Sequence, residues 1–365
     1  MTPRVDALLR TTAVATLFAA VVVPVQAQDR VYSTDQGAAS IEVIDAATFE
    51  IVETVDLQQL GFGENAKPHH IAVEPDGSFW YVSLIGENRV LKFDRDNELV
   101  GQAEFEVPGM LSLSPVGDEL YVGRSMSAVN PPMRIGAIRR SDMSVDEIDV
   151  LFPRPHALIT HPSGDYVYSA SLGINRMAAV DAESWDPTFT DVPGDTHAMV
   201  QFAVSPDGST LVVTGELTGD LLVFDLSSDP SNPIFVRSID VGSRPWHPIF
   251  GRDGQHVYFG LKGDDAAVEV DVVAGEVTRT FSGEGFDQPH GAALSPDGRY
   301  LFVTNNGPGG MGMDHGGMDH GGHDMGMETT PDGGTVVVID LESGETVRVI
   351  PVGPNATGIG AAAPR

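Results

Sequence analysis

Short apolar runs closed by the same turn recur along the chain. HIAVEPDG, FAVSPDG and GAALSPDG are the clearest, and the turns start at Pro75, Pro115, Pro162, Pro206, Arg252 and Pro296. A second apolar run follows each turn: WYVSL from Trp80, LYVG from Leu120, YVYSA from Tyr166, LVVTG from Leu211, VYFGL from Val257 and LFVTN from Leu301. Third runs such as RVLKF and TVVVIDL, and fourth runs such as VTRTF and TVRVI, alternate as half-buried strands do. The turn starts lie 40, 47, 44, 46 and 44 residues apart, which is the period of propeller blades. Each unit is therefore predicted to be a four-stranded antiparallel sheet.

The ends supply the missing unit. The regular pattern begins with a second-strand run, RVYSTD from Arg30, and ends with TGIGAAA, which reads as a first strand. Pairing the two completes a seventh blade and removes an open sheet edge. The predicted fold is all-β: a seven-bladed β-propeller closed by its N- and C-terminal strands. With its PDG turn and the FVTN that follows from Phe302, the chain resembles the YVTN-repeat propellers. That resemblance implies the fold and leaves the activity open.

Composition agrees with one turn-rich β domain, with 41 Gly and 25 Pro in 365 residues. Residues 1–27 carry Arg4 and Arg10, an apolar stretch from Ala13 to Val23, and Val25, Gln26 and Ala27 as a small-residue cleavage site. This is the pattern of a secretory signal peptide, so a periplasmic or secreted protein is expected, with 28–365 as the propeller and no membrane span after cleavage. The absence of cysteine rules out disulfides, thiolate-held metals and covalent c-type haem. A net charge of -31 argues against nucleic acid and anionic lipid as partners. The only lysines are Lys67, Lys92 and Lys262.

Against this frame the histidines fall into register. Counting back six residues from the turn start reaches His69, His156 and His290, and counting back five reaches His70 and His247. Proline stands seven back at Pro68, Pro108, Pro155, Pro245 and Pro289. First strands border a propeller's channel, so these side chains are expected to meet at the mouth opposite the PDG turns. His197, nine residues before its turn, belongs to the same junction if the preceding loop is irregular. Neighbouring strand residues face opposite ways, so His69 and His70 need an irregular junction to converge. Clustered imidazoles call for a cation, and imidazole suits copper, zinc, iron or nickel. With reference values near 6.5, such ligands should release metal below about pH 6. The plain alternative is that each ring bonds a neighbouring loop. His161 and His256 fall outside the register and are expected to be structural.

Residues 306–334 interrupt the last blade with MGMDHGGMDHGGHDMGM. Met311, Met313, Met318, Met325 and Met327 alternate with His315, His320 and His323, and Asp314, Asp319 and Asp324 add oxygen. Thioether mixed with imidazole selects soft metals, copper above all, with silver or zinc as alternatives. The loops between second and third strands share the histidine face, so this arm should overhang the mouth. Met126 and Met133 of RSMSAVNPPMR should lie there too.

The histidine ring also resembles the catalytic propeller of nitrous oxide reductase, a seven-bladed domain holding a multicopper cluster on channel-mouth histidines that include an adjacent pair. His69 and His70 match that pair, and His156, His197, His247 and His290 match single contributions. The copper-dependent methanethiol oxidase and selenium-binding family is similar in broad arrangement. This chain departs in having six ring histidines where the reductase cluster uses seven, and no cysteine for a cupredoxin centre. The resemblance thus implies an exported copper protein, either an oxidoreductase with a small-molecule substrate and a periplasmic redox partner, or a module for copper storage, relay or tolerance. A metal-free protein-binding propeller is the remaining alternative.

Overall fold

The computed structural model describes residues 30–308 and 333–362. These form seven four-stranded antiparallel sheets, 28 strands numbered β1–β28 in chain order. One blade unites both ends of the chain, with β28 (Ala356–Ala361) paired to β1 (Arg30–Asp35), then β2 (Ser40–Asp45) and β3 (Ile51–Asp56). The fold is thus the closed seven-bladed propeller expected from the repeat.

Alternation decides which faces are buried. The second and third strands of a blade are buried along nearly their whole length, whereas outer strands such as β3 show mostly exposed positions. The apolar faces of adjacent sheets pack on each other in interblade clusters. In one, Trp80 stacks between Tyr32 at 4.8 Å and Phe93 at 4.2 Å, and its indole N–H donates to Asn97 Oδ1 at 3.1 Å. Aromatic stacking of this kind adds to area burial and fixes the angle between sheets.

Each blade's inner strand begins in the same unusual way. A non-glycine residue with φ between 47° and 58° stands immediately before it in six blades, and in the blade of β20 (Ile249–Phe250) before the bridge residue Pro245: Lys67, Val107, Arg154, Ala198, Arg244, Gln288 and Asn355. Left-handed backbone costs an L-residue on the order of 1–2 kcal/mol, so its sevenfold recurrence marks a designed junction. The carbonyl of each accepts a hydrogen bond from the residue that follows the second strand: Ile85, Ser125, Leu172, Glu216, Lys262, Asn306 and, in the closing blade, Gln36. Two concentric rings of side chains result. One begins two residues after the left-handed position; the other consists of those seven residues. At the far end of the inner strands, the PDG-type turns carry glycine at positive φ at Gly77, Gly164, Gly208, Gly254 and Gly298.

Candidate metal centre

Five of the six register histidines converge. His69 lies at the centre, with ring centroids 6.4 Å from His156, 6.4 Å from His247 and 5.7 Å from His290. His247 stands 4.8 Å from His290 and 5.9 Å from His70. Two imidazoles sharing one ion, with metal–nitrogen distances near 2 Å, have ring centres roughly 5–6 Å apart. The spacing is thus close to what a shared ion needs. Even so, among the described residues no three His, Asp or Glu side chains already form a set that could hold an ion.

The His69–His70 pair reaches the mouth through a bulge. On β4 (Pro68–Val73) the register passes from Pro68↔Leu84 to Ile71↔Val82, so both histidines oppose Ser83 alone. Such a bulge re-aims side chains that regular pleating would send to opposite faces. Ser83 Oγ accepts the His70 N–H at 3.1 Å and donates to the Gly109 carbonyl at 2.8 Å, tying the bulge to the next blade.

Hydrogen bonds assign distinct roles to the rings. His156 donates from Nδ1 to the Arg124 carbonyl at 2.8 Å, which leaves Nε2 with its lone pair. A ligating histidine is commonly held in this way. His70 is reversed: its Nδ1 accepts from the Leu111 N–H at 3.2 Å, so the neutral ring carries its proton on Nε2 and is a donor. Gln36, whose amide can present either end, faces His69 Nδ1 at 3.2 Å. His69 Nε2, His156 Nε2, His247 Nε2 and His290 Nδ1 are buried and have no hydrogen-bond partner. An unsatisfied buried polar atom costs about 1–3 kcal/mol, so four within one cluster of rings favour a ligand that engages them.

Burial drives all five rings toward the neutral form. It pushes His70 down to about 3 and His156 to about 4. His69, His247 and His290 lie well below the ordinary imidazole value, through burial first and then repulsion from neighbouring histidines and Lys262. Neutral imidazole is the ligand form, and here it persists to lower pH than free histidine allows.

His197 stands apart. It precedes the left-handed Ala198, whereas His69, His156 and His290 follow their left-handed residues by two. The positions equivalent to His69 and His70 in this blade are Val200 and Gln201. Both His197 ring nitrogens are engaged, Nδ1 with Thr218 Oγ1 and Nε2 with the Pro193 carbonyl, each at 2.9 Å. It fastens a loop and has no nitrogen free for an ion. His161 and His256 are likewise structural, bonded to Ser163 and the Gly208 carbonyl and to Asp253.

Above the histidines opens a narrow funnel, lined in part by Trp246, Lys262, Arg244, Glu216, Asn306 and Met126. Trp246, Lys262, Arg244 and Glu216 were not singled out in the sequence. Trp246 packs 4.2 Å from the His290 ring, and Lys262 Nζ lies 4.8 Å from the Trp246 ring centroid. Arg244 donates to Glu216 Oε1 at 3.0 and 2.7 Å. Met133 is half exposed and absent from this lining. His315, His320, His323, Met311, Met313, Met318, Met325 and Met327 lie outside the described residues. The segment departs beside the funnel, for Asn306 lines it and Gly307 meets the Gly333 carbonyl.

No family model matches the chain, and no curated protein matches it. Solved structures share its fold. A functionally unknown protein from Desulfotomaculum acetoxidans superposes with a TM-score of 0.69 at 13% identity, covering 92% of this chain and 100% of that one. A periplasmic gluconolactonase from Pseudomonas aeruginosa gives 0.67 at 19%, covering 92% and 99%. A dihydro-haem d1 dehydrogenase gives 0.59 at 14%, covering 92% and 76%. At these identities the likeness extends to the propeller alone. Among the described residues no helix is long and apolar enough to cross a membrane.

Proposed function

We propose that this is an exported copper-binding propeller whose ion is held by His69, His156, His247 and His290 at the floor of the funnel. The carrying observation is that four buried ring nitrogens, one on each of these residues, lack partners and belong to rings 4.8–6.4 Å from a neighbour. Small rotations about the side-chain bonds are needed to draw them onto one ion. Copper is favoured over zinc, iron or nickel by the methionine and histidine alternation between Met311 and Met327. Two of the four histidines, His69 and His290, line the funnel, as suits a site that admits a small molecule, whereas a storage site is closed. We therefore favour a copper-dependent oxidoreductase over storage or relay. Copper held on these imidazoles would supply one-electron chemistry. The chain's own part is to keep its rings neutral and orient them, as the Arg124 carbonyl does for His156. Export is supported by the signal-like residues 1–27 and by the periplasmic origin of the gluconolactonase of like fold.

A second reading follows from the absence of a ready-made ligand set among the described residues. In it the same funnel is a metal-free pocket whose imidazoles hydrogen-bond a ligand. Elemental analysis separates the two. Protein lacking residues 311–327, loaded with copper and desalted, should retain near-stoichiometric metal, and the double variant His69→Ala, His247→Ala in that background should lose most of it while keeping its β-sheet circular dichroism. Retention of copper by that variant refutes the first reading.

A further inference from the structure

The upper ring of the funnel carries one cation, Lys262, that forms no ion pair among the described residues. Of its seven positions only Glu216 and Lys262 are charged, and they sit on adjacent blades. Glu216 is engaged by Arg244 through two hydrogen bonds to Oε1. Lys262 is 9% exposed, and among the described residues no carboxylate lies within ion-pair distance of it. Its Nζ sits over the face of Trp246, and Glu216 acts on it electrostatically from beyond ion-pair distance. A cation–π contact of this kind compensates part of the lost hydration and leaves the three N–H donors unfilled.

The surroundings sharpen the oddity. The protein carries a net charge of -31 and three lysines, yet one lysine is buried at the mouth of its main cluster of histidines. Burial first, and then Arg244, push Lys262 down to about 8 against the opposing pull of Glu216, so it remains mostly protonated at neutral pH. The five histidines beneath are neutral and supply no counter-charge. Trp246 adds a buried indole N–H without a partner, beside the funnel. A buried cation compensated only in part is costly, and a metal ion on the histidines would add to the positive charge. The donors and the charge ask for the same complement, an acceptor that is negative.

We propose that the funnel binds a small carboxylate, with one oxygen on Lys262 Nζ and the other toward Arg244 and the Trp246 indole N–H, directly above the histidine floor. This deepens the proposed function by giving its ligand class. It rests on the funnel being the functional site and does not require the metal. The carboxylate neutralises Lys262, while Glu216 keeps Arg244 in place. Discrimination comes from charge, because an amide of the same shape leaves the ammonium unpaired.

Glycolate and glycolamide are the probes, titrated by saturation-transfer NMR against the full chain, metal-free and copper-loaded. Glycolate should bind at least about tenfold more tightly than glycolamide, a difference of roughly 1.4 kcal/mol. The preference should vanish in Lys262→Met and persist in Lys92→Met, whose lysine lies over Phe79. Since Lys262→Met could disturb packing on Trp246, Lys262→Arg provides the second arm and should keep the preference. Equal binding of the two probes, or an undiminished preference in a folded Lys262→Met, overturns the inference. Failure of copper to load with the glycolate preference intact removes the metal reading and leaves this one standing. Copper loading without any glycolate preference does the reverse.

Discussion

Gly358 of the closing strand lies so close to His69 that a Cβ there would overlap the His69 carbonyl oxygen. The strand that seals the propeller is thus packed against the strand that presents the central histidine. Thr34 Oγ1 bridges the same seam, within 2.9 Å of Thr357 Oγ1 and accepting the Gly358 N–H at 2.8 Å.

Gly358→Ala should therefore damage closure and site together. Forcing a methyl group into the backbone of β4 should cost about 3 kcal/mol. Urea denaturation should show that loss, and copper stoichiometry should fall in the fraction that remains folded.

His197 gives the opposite expectation. His197→Ala removes bonds to Thr218 and the Pro193 carbonyl, and should cost about 1–3 kcal/mol. Copper content should not change, because no ring nitrogen is withdrawn from the floor. Thermal unfolding and elemental analysis of one preparation check both halves.

Acid should destabilise the metal-free protein in a defined window. Each floor histidine has a folded pKa below its unfolded value of about 6.5, so protons bind the unfolded chain more readily. Stability is undiminished above that value and is lost as pH falls, down to about 4 for His156 and about 3 for His70. Each ring contributes ~1.4 kcal/mol per pH unit within the window. Urea midpoints at pH 7.5, 6 and 5 should fall accordingly, and His156→Gln should reduce the slope by about one proton.

Deleting residues 311–327 tests the methionine-rich segment. It joins the blade between strands whose ends meet at Gly307 and Gly333, so the propeller should fold unchanged. Copper loading from excess should persist, while capture from dilute copper in competition with a chelator should weaken. Unchanged capture removes any role for the segment.

Much of the fold was legible because its period is written in turns that only particular residues can make. The closing blade followed from RVYSTD and TGIGAAA, and counting from the PDG turns picked out the five histidines whose rings lie near one another. His197 was misjudged because the count crossed an irregular loop. The true reference is the left-handed residue before each inner strand, which at Ala198 has neither glycine nor proline to announce it. The upper ring was missed for a similar reason. Lys262 and Glu216 are the residues just after the runs VYFGL and LVVTG, a register as regular as that of the histidines. The proton positions that separate His70 from His156 depend on the partners Leu111 and Arg124, contributed by other strands, and no spacing within one segment reveals them.

The claim that matters most is that buried imidazoles hold the ion. Copper-edge X-ray absorption on loaded protein lacking residues 311–327 tests it without interference from that segment. The account predicts three or four nitrogen neighbours at about 2 Å with the multiple scattering of imidazole, and loss of that shell in His69→Ala, His247→Ala. A shell of oxygen alone, or an imidazole shell unchanged in that variant, contradicts it.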